Sequence, residues 1–216
     1  MYIEVIDAGT IAYREMWDRQ HELFHELVEH KTSKTPIERE YLILVEHNPV
    51  YTLGKHGHPE NMLLNHDILA ARGIECIPVE RGGDITYHGP GQLVVYPIID
   101  LEHRKLGVKQ YVDLLEETVI RLVALYGIEA GRVEGATGVW VGNNKICAIG
   151  IRCSRYITMH GIGLNVNTDL SYFTAINPCG FTTKGVTSIA REVGHAVDMT
   201  EVKRRFVDIF TELVGD

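Results

Sequence analysis

The sequence predicts an α+β fold in which helices pack on mixed β-sheets. Three observations carry that prediction. Apolar residues recur at helical spacing in three separate stretches, near residues 11–30, 107–126 and 199–213. Residues 137–166 instead form a strand-rich block closed by a hairpin turn, without the strand–helix alternation of a parallel α/β protein. Tyr41 to Val45 is a continuous apolar run with the composition of a strand covered on both faces, and Ile74 to Val79 and Leu93 to Leu101 are apolar runs that read as strands. The 216 residues contain no internal repeat, no low-complexity segment and no long linker. They are therefore read as a single domain over 1–216, with a main lobe over about 1–170 and a small C-terminal segment over about 171–216.

Taken in order, Tyr2 to Ala8 alternates like a strand, and Thr10 is placed to cap a helix from about Ile11 to about His30. Tyr13, Trp17, Phe24, Leu27 and Val28 give that helix its core-facing stripe. Thr32 to Pro36 is a polar break before the strand Tyr41 to Val45, and His47 to His58 reads as a loop. A short helix over Asn65 to Ala71 is stopped by Gly73. Strands Ile74 to Val79 and Leu93 to Ile99 flank a glycine-rich corner. Gly107 to Tyr126 is a second long helix. Thr137 to Val141 and Lys145 to Ile151 are strands joined by Gly142-Asn143-Asn144, a good hairpin turn. Ile157 to Val166 is a strand interrupted at His160-Gly161-Ile162-Gly163. Ile176 to Phe181 is turn-rich, and a short helix starts near Thr187. Asp198 opens a last helix that buries Val202, Phe206, Ile209, Phe210 and Leu213.

Composition narrows the function. A net charge of -8 argues against a general nucleic-acid binder, which needs a basic face. No apolar run approaches the roughly 20 residues needed to span a bilayer. The N-terminal residues alternate like a strand and carry an acid where a signal peptide is basic, so a cytoplasmic location is expected. Cys76, Cys147, Cys153 and Cys179 form no C-x-x-C pair, which leaves a zinc knuckle or redox pair unsupported.

The corner Arg81 to Gln92 holds four glycines between apolar strands, a sequence that lets another molecule approach the main chain. Cys179 sits between a proline and a glycine, on a loop where a thiol can react; an incidental loop cysteine has the same local sequence. Cys76, Cys147 and Cys153 lie in or beside apolar strands and read as small core residues. A free thiol near pKa 8.5 is only a few per cent ionised at neutral pH, so a nucleophile needs a cation or base beside it. His88, His160, Lys145 and Lys184 are the candidates. Lys145 opens an apolar strand of small residues, where partial desolvation would lower its pKa; alone it also reads as an exposed turn-end lysine. His88 and His160 are each compatible with a hydrogen-bonded structural histidine. Gly161-Ile162-Gly163 opens no helix, and no G-x-x-x-x-G-K-[ST] loop exists, which disfavours dinucleotide and P-loop chemistry.

Five blocks in order resemble the lipoyl(octanoyl) transferases: Asn48 to Gly54, Arg81 to Leu93, Gly142 to Gly150, His160 to Asn167 and Asn177 to Gly180. The resemblance implies the fold shared by lipoate and biotin protein ligases. It implies transfer of an octanoyl group from octanoyl-acyl carrier protein to a lipoyl-domain lysine, as on 2-oxoacid dehydrogenase complexes and the glycine cleavage H protein. Cys179 would carry the acyl thioester, and Lys145 would be its dyad partner. The segment Arg81, Gly82, Gly83, Asp84, Ile85, Thr86, Tyr87 and His88 would line the substrate pocket. So would Ala148, Ile149 and Gly150 and, from the third block, Gly161, Ile162 and Gly163. No cofactor and no metal is implied, because a thioester donor and a thioester intermediate lie close in energy. An acidic chain meeting an acidic carrier also calls for a local basic patch, with Lys55, His56, Arg152, Arg155 and Lys184 as candidates.

Competing readings are an ATP-dependent ligase on the same fold, which would not need Cys179, and a non-catalytic binder of an acylated carrier or lipoyl domain. A cysteine hydrolase is a third, weakened by the lack of a group clearly orienting His88 or His160. The octanoyltransferase reading makes a geometric demand: residues 81–88, 145–150, 161–163 and 179 must meet at one cavity.

Overall fold

The computed structural model describes residues 1–177 and 185–215. Cys179 and Lys184 lie outside them. Two sheets organise the described residues. The larger contains β1 (Tyr2–Ile11), β2 (Arg39–His47), β6 (Gln92–Ile98), β7 (Gly131–Val133), β8 (Ala136–Val141), β9 (Asn144–Ser154), β10 (Ile157–Asn165) and β11 (Gly185–Val186). Its strand order is β1-β2-β6-β10-β9-β8-β7, with β11 paired to β9. Only the β1–β2 and β11–β9 pairs are parallel. The smaller sheet, in the order β4-β3-β5, contains β3 (Val50–Leu53), β4 (Glu75–Pro78) and β5 (Ile85–His88). The mixed α+β prediction holds.

Strand periodicity explains how the large sheet separates two cores. On β2, Leu42 and Leu44 face one side while Tyr41, Ile43 and Val45 face the other, and all five are buried. The first side is covered by α3 (Val108–Ala124) and α5 (Met199–Val214), whose Tyr111, Leu115, Val119, Phe206 and Phe210 are fully buried. The second is covered by α1 (Tyr13–Ser33) through Met16, Phe24 and Leu27. Burying each of these large side chains contributes about 1.5–3 kcal/mol. Two shorter helices, α2 (His66–Ala71) and α4 (Ile189–Val193), are capped by Asn65 and Ser188, each accepting a backbone N–H bond.

Several boundaries differ from the sequence reading. β1 runs on through Thr10, which pairs with Glu46, so Thr10 does not cap α1. The N-cap is Ala12, which has no capping side chain. The 47–58 loop contains β3, and the glycine corner contains β5; both are short, with β3 pairing β4 on one side and β5 on the other. The β10 ladder passes unbroken through His160–Gly163, pairing with Ile151–Ala148 of β9. Asp198 does cap α5, accepting from Thr200 N–H at 2.9 Å.

A buried ion pair ties the C-terminus to the sheet. Glu40 on β2 and Arg104 have side chains almost wholly removed from solvent. Arg104 donates to Glu40 and to the backbone carbonyls of Val214 and Gly215, while Glu40 also accepts the Asp100 N–H at 2.6 Å. Arg104→Ala leaves that carboxylate buried without its cation, so chemical denaturation is expected to show a loss of about 3–5 kcal/mol. A loss below about 1 kcal/mol would mean that the pair does not hold Glu40.

Candidate active site

A cavity of about 540 Å³ lies where the two sheets meet. The glycine corner forms one wall through Arg81, Gly83, Asp84, Ile85, Thr86 and His88. Ala148, Ile149 and Gly150 of β9 form a second, and Gly161, Ile162 and Gly163 of β10 a third. Lys145 stands on the same cavity. Sequence-distant blocks are thus brought together, with two exceptions. Tyr87 turns away, as strand alternation on β5 requires, and stacks on Tyr172 at 4.6 Å, beside Tyr51 and Phe173. Gly82 is not on the cavity; its N–H donates to the Ile151 carbonyl at 2.9 Å and docks the corner onto β9. Gly150 permits this docking, because a Cβ there would lie 2.8 Å from the Gly82 oxygen and 3.0 Å from Arg81 Cδ.

Burial grades along the cavity. Gly135, Thr137 and Gly185 are exposed, and Lys145 and Asn177 are half-buried, so this end opens to solvent. At the other end Tyr13, Arg81, Tyr96 and His160 are all buried. Arg81 is held rigidly, donating to the Thr52 carbonyl at 2.7 Å, to Thr52 Oγ1 and to the Gly82 carbonyl. Burial pulls its guanidinium below the ordinary arginine pKa.

A polar network crosses the sheets beside this wall. His88 Nδ1 lies 2.7 Å from Gln92 Oε1, an acceptor, so Nδ1 carries the proton. Gln92 Nε2 donates to the Tyr87 carbonyl and to Asn165 Oδ1, and Asn165 Nδ2 donates to the Thr187 carbonyl. His47 donates from Nδ1 to the Ile11 carbonyl at 2.9 Å and accepts from Tyr96 at Nε2. Burial is the main cause that holds three histidines neutral: His47 is lowered to about 4, and His88 and His160 to about 3. Arg81 adds like-charge repulsion at His88 and His160.

At the open end the Lys145 ammonium lies 4.7 Å from the centroid of the buried Trp140 ring. Trp140 of β8 pairs with Lys145 on one side of β9, and Val186 of β11 pairs with it on the other. None of the described cysteines lines the cavity. Burial raises the thiols of Cys76, Cys147 and Cys153, which disfavours each as a nucleophile. The side chain of Cys147 belongs to the α3–α5 core although Lys145 is two residues away.

The basic-patch expectation fares less well. Arg152 is paired with Glu80 at 2.7 Å and lies over the Phe24 ring. Arg155 follows β9 at the end opposite Lys145. Lys55 and His56 are exposed, and their backbone N–H groups bond the corner carbonyls of Arg81 and Gly83. Sequence reasoning also missed cavity residues. Tyr13 and Tyr96 were indistinguishable from core, and Trp140, Asn165 and Phe173 reach the site only through tertiary folding.

Known proteins resemble this chain in sequence and fold. Residues 12–211 match the lipoyl protein ligase A/B catalytic domain family. An octanoyltransferase of Bacteroides thetaiotaomicron is 56% identical over 206 residues, covering 93% of this chain and 90% of that protein. A bipartite lipoate protein ligase from Thermoplasma acidophilum has the same fold, with a TM-score of 0.73 at 18% identity over 99% of this chain and 84% of that one. The biotin protein ligase of Aquifex aeolicus is more distant, with a TM-score of 0.53 at 12% identity over 99% and 69% of the two chains. From the family match and the full-length identity, the chain belongs to the lipoyl protein ligase A/B catalytic family, among its octanoyltransferases, and is an acyltransferase.

Proposed function

We propose that this protein moves an octanoyl group from octanoyl-acyl carrier protein to the lysine of a lipoyl domain, in the cytoplasm and within one catalytic domain, through an acyl thioester on Cys179. The observation that carries the reading is at the cavity's open end. Lys145 stands there, and so do Asn177 and Gly185, the described residues on either side of the stretch that contains Cys179. The six carbons beyond the octanoyl α-carbon are apolar, and a wall of Ala148, Gly150, Gly161, Ile162 and Gly163 suits them; each buried CH₂ contributes about 0.8 kcal/mol.

In the first half-reaction the Cys179 thiolate attacks the donor carbonyl. A C–S bond to Cys179 forms, the C–S bond to the carrier breaks, and the departing thiolate takes a proton from the Lys145 ammonium. In the second, the acceptor amine attacks the new thioester and gives its proton to the Lys145 amine. A C–N bond forms and the Cys179 thiolate is released. The bonds exchanged are thioester for thioester and then thioester for amide, so no ATP enters. Backbone N–H groups of the glycine corner are suited to stabilise the oxyanion.

Mass spectrometry after incubation with octanoyl-acyl carrier protein tests the assignment. One octanoyl group is expected on Cys179, lost on transfer to a lipoyl domain, and no thioester adduct is expected in Cys179→Ala. Acylation at Cys76, Cys147 or Cys153, or undiminished transfer by Cys179→Ala, would overturn it.

A further inference from the structure

The buried end of the cavity has an unusual stop. Along β10 the cavity is lined from Gly163 back to His160 but not by Met159, and along β9 by Lys145 and then Ala148, Ile149 and Gly150 but not by Ile151. His160 pairs with Ile151, so its side chain closes the last rung. It is 1% exposed, and neither ring nitrogen has a hydrogen-bond partner among the described residues. The nearest carboxylate oxygen, on Glu80, is 4.0 Å from Nε2. Packing therefore fixes the ring, edge-on to Tyr96 at 6.4 Å, with Arg81 and Tyr13 completing the wall. The backbone contributes too. His160 has φ +60°, a left-handed conformation that a non-glycine residue adopts at a cost, and its N–H donates to Gln20 Oε1 at 3.1 Å.

We propose that His160 is the residue that limits acyl length, its imidazole acting as a rigid end-stop for a straight chain of about eight carbons. The proposal rests on the octanoyl-transfer reading. The six β9 residues from Lys145 to the His160 rung span about 20 Å. Seven carbon–carbon bonds of about 1.5 Å in zigzag span about 9 Å. An octanoyl chain therefore fits inside this span with its methyl end toward His160. A chain too long for the cavity meets the imidazole, a buried ring with Tyr96 edge-on to it at 6.4 Å.

His160→Gly is the informative variant. Glycine favours the positive φ, keeps the N–H bond to Gln20 and removes the ring, so thermal unfolding should show no loss of stability. His160→Asn, also tolerant of this conformation, leaves a shorter stop. With octanoyl- and decanoyl-acyl carrier protein as paired donors, loading of Cys179 is read by mass spectrometry. The decanoyl-to-octanoyl ratio should rise about tenfold in His160→Gly, the value of burying two further methylenes, and less in His160→Asn. Binding of free octanoate and decanoate by titration calorimetry should shift the same way. That arm reads the end-stop even if no acyl group reaches Cys179, an outcome that would count against the transfer reading alone. Unchanged ratios in both folded variants would overturn the proposal.

Discussion

Lys145→Ala should slow octanoyl transfer by about 10²- to 10⁴-fold, the range for removal of a positioned acid–base group. The expectation follows from where Lys145 stands. Its ammonium is half-buried at the cavity mouth over Trp140, on a strand held on both sides, so its reach is fixed by the sheet. The thiol it serves is mostly protonated at neutral pH without help. Alanine removes both the cation that favours thiolate and the amine that takes the acceptor's proton. The fold should survive, because Lys145 is half-buried and its strand is held by backbone pairing on both sides. Lys145→Arg separates the two roles. Arginine keeps the charge but does not deprotonate, so single-turnover acylation should fall less than the later transfer to a lipoyl domain. Rates within threefold of wild type for Lys145→Ala would remove it from the mechanism.

The second large effect is acid destabilisation well above the carboxylate range. His47, His88 and His160 are neutral in the fold, with values of about 4, 3 and 3 against 6.5 when unfolded. Their folded pKa is depressed, so the unfolded chain binds more protons. The stability they confer is complete above pH 6.5 and is lost as pH falls from there toward 3–4. Each ring contributes about 1.4 kcal/mol per pH unit in that window, so three rings cost about 4 kcal/mol between pH 7.5 and 5.5. Among the described residues no carboxylate hydrogen-bonds these rings. His88 faces Gln92, Thr52 and Arg81, His47 faces Ile11 and Tyr96, and Glu80 stands 4.0 Å from His160. Against a typical domain stability of 5–15 kcal/mol the loss is large. Urea midpoints measured between pH 7.5 and 5.5 should fall steadily. A flat midpoint would show that the rings accept protons inside the fold.

Much of this site was legible in the sequence because its chemistry is carried by contiguous blocks. Arg81 to His88, Ala148 to Gly150 and Gly161 to Gly163 are unusual strings, and their glycines mark close backbone approach. Their convergence came from the resemblance rather than from pattern. The misses have physical reasons. β5 and β3 are four residues each and gain stability from pairing within the three-stranded sheet, so no periodicity announces them. His160–Gly163 reads as a break because glycine is a poor strand former, yet Gly161 is needed where a Cβ would lie 2.2 Å from the Val95 oxygen. Tyr87 was assigned to the pocket because a contiguous motif was taken whole, while a strand sends alternate side chains to opposite faces. Tyr13 and Tyr96 do belong to the core by burial; only the tertiary arrangement gives them a second surface on the cavity.

The two-residue strand β11 has a consequence for how this enzyme can diverge. Gly185 and Val186 pair with Asn144 and Lys145, and Ile176 bridges to Met62 before the other end of the same stretch. The described chain is thus held on either side of residues 178–184, by an isolated bridge at Ile176 and by β11 at Gly185. Closing a stretch between fixed ends grows more costly only logarithmically with its length, by about 0.6 kcal/mol per doubling. An insertion between Ile176 and Gly185 therefore adds little closure cost to the pairs that flank it. The cavity is lined by ladder residues of β5, β9 and β10, so its shape is set by backbone pairing rather than by the length of that stretch.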